Sequence, residues 1–237
     1  MTAAAWKPAA ESLAADLRSV FGDRLRSVVA YGPHLDGDEH APLTCLALVS
    51  TLTAEDLHGC ATHTSRWTRS HLATPLILSE QEFRNSLDAF PLEYGEIIRA
   101  HSRVLGNNPF DGVEIASSDL RRACETQIKS HLVHLREGYI ESGGRPSTVA
   151  DLVNASIPGF TALLRNVARL NGVNSSDRTD ATVQGARSAG LSDHLVGAVL
   201  ALEQKPSMAG VDAARLFPEY LAAVEQLARA VDAWRGQ

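Results

Sequence analysis

The residues best suited to chemistry gather in one stretch, residues 25–50, LRSVVAYGPHLDGDEHAPLTCLALVS. Gly32, Pro33 and His34 follow an apolar run, at a turn where a glycine lets backbone approach a phosphate, and they are the candidate nucleotide-binding residues. Asp36, Asp38 and Glu39 follow in the same loop, and Glu93 stands farther along the chain. Carboxylate oxygens are the hard donors magnesium takes, so Asp36 and Asp38 are candidate catalytic ligands. The plainer reading of residues 34–40 is a solvated acidic loop.

Other groups compete for attention. His131 and His134 lie three apart on a helical stretch, a spacing that can share a metal, but HExxH is absent and a polar helix face accounts for them. Arg187 and His194 are separated by six residues, a cation and an acid–base group close in sequence. Arg121, Arg122, Lys129 and Arg136 give one long helix a basic side that could meet a phosphate or simply face solvent. Cys45 lies inside an apolar strand, where a thiol behaves as a small inert hydrophobe.

Two strands around a turn must position the first group. Residues 25–31 form a nearly continuous apolar run, which suits a strand buried on both faces, and residues 43–49 form a second. A helix over 10–21, ended at Gly22, precedes them, and a helix over 54–72 follows with Thr53 as its N-cap. Residues 75–78 read as a third strand, and Ser79 opens a short helix. Residues 90–94 are expected to be extended because Phe90 precedes a proline. Residues 96–103 read as helical or irregular, ahead of the Asn107-Asn108-Pro109 turn.

The pattern changes after about residue 115. A long helix to about 142 ends at Gly143-Gly144. A second opens on a Thr148/Asp151 capping box and runs to 170 with Pro158 inside it. Helices over 179–189 and 192–204 follow. A last helix carries Leu221, Val224, Leu227, Val231 and Trp234, with Pro218 in its first turn. The expectation is an α+β protein: a small mixed-sheet domain over 1–115, then an all-α bundle over 116–237.

Composition limits the function classes. The 237 residues are 44% hydrophobic, enough for a sizeable core, and carry a formal net charge of −6, which gives no global drive toward nucleic acid. Three widely spaced cysteines support neither a disulfide framework nor a zinc site. The first residues lack a signal-peptide pattern, and no run approaches ~18 apolar residues, so no membrane partner and a cytoplasmic location are expected.

The order helix, strand, Gly-containing turn, loop, strand, helix resembles the polymerase-β-like nucleotidyltransferase superfamily. The helical half resembles the HEPN-like bundle that follows the catalytic domain in the kanamycin and minimal nucleotidyltransferase type. The resemblance implies Gly-Ser at the end of the first strand. It also implies two acidic residues at alternate positions opening the next strand, a third carboxylate later, and two divalent metals that clamp the transferred phosphoryl group. Here Gly32 matches, Pro33 replaces the hydroxyl residue, Leu-Thr-Cys-Leu over 43–46 replaces the acidic pair, and Glu93 corresponds to the third position. Three readings stay open. The first is a catalytically degenerate nucleotidyltransferase-like protein that binds a nucleotide in an inter-domain cleft or binds a partner. The second is an active, magnesium-dependent enzyme using Asp36, Asp38 and Glu93. The third is a HEPN-type ribonuclease or toxin–antitoxin-like module, in which Arg187 and His194 meet across a homodimer.

Overall fold

The computed structural model describes residues 6–35, 37–38, 40–173, 175, 177–204 and 212–236. The chain is α+β and folds as two compact units, Met1–Ile115 and Ala116–Gln237.

In the first unit, α1 (Lys7–Phe21) leads through a short 3-10 turn into β1 (Leu25–Tyr31). The antiparallel partner β2 (Thr44–Val49) pairs Tyr31 with Thr44 and Val29 with Leu46. Next come α2 (Ala54–Ala61), α3 (Thr64–Arg69), β3 (Leu76–Ser79), α4 (Glu80–Asn85), α5 (Pro91–Arg99) and β4 (His101–Gly106). The sheet order is β3-β2-β1-β4, with β3 parallel to β2 and β4 antiparallel to β1. Because side chains alternate across a strand, the central pair feeds two cores. On one face Val28, Ala30, Cys45, Ala47 and Val49 pack with Leu13, Leu17, Phe21 and Trp67. On the other face Val29, Leu46 and Leu48 pack with Phe83, Tyr94, Ile97 and Phe110.

Two helix starts match their sequence signals in full. Thr53 accepts from Asp56 N while the Asp56 carboxylate accepts from Thr53 N, and Ser79 and Glu82 repeat the same reciprocal pattern. Several expectations are corrected. Residues 91–99 are helical: Phe90 is indeed non-helical, but Pro91 takes the first helical position, where its fixed φ and missing N–H cost nothing. His101–Gly106 is a strand whose polar residues hid it, since it is an edge and pairs only with β1. The helix expected over 54–72 is broken at Thr62, whose hydroxyl donates to Gly59 O.

In the second unit, α6 (Ser117–Glu141), α7 (Pro146–Leu170), α8 (Arg178–Ser188), α9 (Asp193–Gln204) and α10 (Ala213–Ala233) form an all-α bundle. Helix α7 is its centre, burying Val153, Ile157, Phe160, Leu164 and Val167. Gly185 lets α8 lie on α7: a Cβ there would stand 1.9 Å from Leu164 O. Three expectations fail here. Pro146, not a Thr148/Asp151 box, opens α7, and the Thr148 hydroxyl donates to Arg145 O instead of capping. Asp212 caps α10 through Arg215 N, which puts Pro218 inside the helix rather than in its first turn. Trp234 lies just past α10 and is half-buried, so it leaves the core stripe.

Candidate functional site

The described residues of the turn between β1 and β2 make a series of local hydrogen bonds. Gly32 has φ +89°, a left-handed conformation that favours glycine, and a Cβ there would stand 2.6 Å from Thr44 Oγ1. Thr44 Oγ1 itself donates to Tyr31 O at 2.5 Å. Leu35 N donates to Gly32 O, and Asp38 N to Pro33 O. His34 is half-buried with Nδ1 2.8 Å from Ala41 O, and its ring centroid lies 6.3 Å from that of His71. Pro33 is exposed and has no N–H to offer a phosphate.

Of the acidic candidates, Asp38 and Glu93 are described. Asp36 and Glu39 lie outside the described residues. Asp38 Oδ1 accepts from His40 N and Ala41 N at 3.0 and 3.3 Å, which makes it the organiser of the loop's own turn. Glu93 sits on the exposed side of α5, while its neighbours Tyr94 and Ile97 enter the core. Among the described residues, no three of His, Cys, Asp and Glu are grouped so as to hold a metal ion.

The opening of β2 settles what the strand itself can offer. Thr44 and Leu46 alternate onto one face, the geometry that a pair of metal-binding carboxylates would need. Thr44 brings a neutral hydroxyl already spent on Tyr31 O, and Leu46 is 1% exposed among Phe83, Tyr94 and Ile97. Magnesium requires several hard oxygen donors in near-octahedral array, and these residues do not fit it. Cys45 points to the opposite core, and burial pushes its thiol up to about 12, so it is no nucleophile at neutral pH.

The remaining candidates all belong to the second unit. His131 Nε2 lies 3.1 Å from Tyr220 OH, which also accepts from Ser156 Oγ, and burial lowers the His131 pKa to about 4. His134 faces solvent and Glu137, so the two histidines are not aimed at one metal. The basic side of α6 is paired in full: Arg121 and Lys129 with Glu125, Arg122 with Asp119, Arg136 with Glu225. Arg187 and His194 are both exposed, and each faces a carboxylate, Asp193 at 3.9 Å and Glu219 at 3.5 Å.

Sequence reasoning missed a buried carboxylate. Asp16 of α1 accepts from Trp67 Nε1 at 2.9 Å and pairs with Arg66, tying α1 to α3. The signal was available: Asp16 stands beside Leu13, Leu17 and Phe21 on the apolar side of its helix, where a charge must find a partner.

No protein-family model matches the chain, and no curated protein matches it in sequence. In structure it is similar to the spectinomycin adenyltransferase AAD(9) of Enterococcus faecialis, solved with ATP and spectinomycin. The TM-score is 0.56 at 13% identity, over 95% of this chain and 98% of that one. The chain therefore shares the fold of a nucleotidyltransferase along nearly its whole length. Among the described residues, no helix is long and apolar enough to cross a membrane.

Proposed function

We propose that this is a nucleotidyltransferase-like protein that has lost the metal-dependent transfer step and keeps the scaffold to bind a nucleotide. The observation that carries the reading is the β2 opening, where a committed hydroxyl and a core leucine occupy the alternate positions that would have to hold carboxylates. The fold shared with an enzyme solved with ATP makes ATP the first nucleotide to test, at the Gly32–His34 turn. With Pro33 there, the turn offers fewer donors than a Gly-Ser turn, and affinity rests on base and ribose contacts more than on phosphate.

The test pairs binding with turnover. ATP titrated into the full chain raises the melting temperature in a saturable way, as binding to the native state alone requires. Labelled ATP with magnesium releases no pyrophosphate and labels no acceptor. Magnesium-dependent pyrophosphate release abolished by Glu93→Gln would restore the active-enzyme reading, and a melting temperature unmoved by any common triphosphate would remove nucleotide binding.

A further inference from the structure

The sheet has a second polar end, away from the Gly32 turn, where β1 begins and β2 and β4 finish. A cavity of about 240 Å³ opens there, lined by Arg26, Ser27, Leu48, Phe83, Arg84 and Asn107. Two carboxylates share the lining: Glu80 makes a loose, half-exposed contact with Arg26 at 3.9 Å, and Asp111 accepts from Asn108 Nδ2 at 2.8 Å. The side chains of Ser27, Arg84 and Asn107 make no hydrogen bond or ion pair with other described residues. Ser27 is only 4% exposed as a residue and lines the cavity.

The uncommitted groups can each donate, and of the three only the guanidinium cannot also accept. A guanidinium, a carboxamide and a hydroxyl, converging from α4, the turn after β4 and β1, call for a ligand that accepts from several directions, which is what a tetrahedral oxyanion does. Leu48 and Phe83 give the cavity an apolar wall, which lowers the local dielectric and strengthens charge-assisted bonds. The volume falls short of the roughly 300–1,000 Å³ of pockets for drug-sized ligands and suits a single small anionic group. We propose that this cavity is a phosphate-binding site, for the free ion or for a monoester of a small molecule, with Arg84, Ser27 and Asn107 as its donors. It is independent of nucleotide binding at the Gly32 turn.

Isothermal titration of inorganic phosphate into the full chain at fixed ionic strength tests the proposal, with methyl phosphate as the second arm. Saturable binding is expected. Arg84→Gln weakens it about tenfold, the order expected for one charge-assisted hydrogen bond, and Ser27→Ala weakens it about threefold. Arg122→Gln, which removes an exposed arginine from another helix, leaves it unchanged. Arg84 is exposed, so its variant reports on binding without a folding cost. Methyl phosphate competing with phosphate assigns the site to monoesters, and phosphate binding alone assigns it to the free ion; either supports the proposal. Non-saturable heat, or equal affinity in wild type and Arg84→Gln, overturns it.

Discussion

The two ends of the four-stranded sheet spend their polar groups differently. At the turn end, Thr44, His34 and Asp38 all point inward to the backbone, toward Tyr31 O, Ala41 O and the N–H groups of His40 and Ala41. At the opposite end, Arg24 and Asp56 form a two-bond ion pair, while Ser27, Arg84 and Asn107 face a cavity with their donors uncommitted. A polar group used to hold a loop is no longer available for a ligand. The end that carries the Gly32 turn is thus the more self-satisfied of the two, and spare hydrogen-bonding capacity lies at the other.

The sharpest way to break this contrast is to put a carboxylate back. Leu46→Asp buries an unpaired charge beside Phe83 and Tyr94 and removes a core leucine, so it should cost roughly 3–5 kcal/mol by urea denaturation. If the variant is as stable as wild type and gains magnesium-dependent turnover with Thr44→Asp, the face is a dormant site and the contrast collapses. Gly32→Ala comes next. It forces a side chain into a left-handed φ of +89° and against Thr44 Oγ1, at about 1–3 kcal/mol. Thr44→Ala added to it relieves the clash but not the φ, so a partial recovery is the expected result.

At the opposite end Asp56→Asn is the probe. The Arg24 guanidinium hydrogen-bonded to Asp56 holds its carboxyl well below the usual range, against the effect of burial. A folded pKa below the unfolded one means the stabilisation is present above the ordinary value of ~3.9 and is lost as pH falls toward the folded pKa. Arg24 is 37% exposed, so solvent screens the pair and the loss at neutral pH should be smaller than that of either turn variant. Stability curves at pH 7 and pH 3 check it: the gap between variant and wild type should narrow at the lower pH.

How much of this was legible in the residues depends on the range of the interaction. Periodicity and caps are local, so the β1–β2 hairpin, the Thr53 and Ser79 starts and α8 and α9 could be read directly. The edge strand β4 could not, because its pattern, His-Ser-Arg-Val-Leu-Gly, becomes a strand only through pairing with β1. The turn's Gly32 and the neutral β2 opening were visible as types. That Asp38 would close its own loop, and that Ser27 and Arg84 would line one cavity across residues 27 to 84, depends on chain reversals that no local pattern records.

The smallest expected effect separates the two ends most finely. Thr44→Val keeps shape and volume and deletes only the hydroxyl that donates to Tyr31 O, so its stability cost should be under about 1 kcal/mol. If Thr44 is committed to the backbone, the ATP-induced rise in melting temperature survives the change, and phosphate binding at the far cavity is untouched. If the hydroxyl instead leaves Tyr31 O to meet a nucleotide, valine abolishes the ATP response while phosphate binding stays. That second outcome would make the Thr44 hydroxyl itself a nucleotide contact at this turn and not only part of its scaffold.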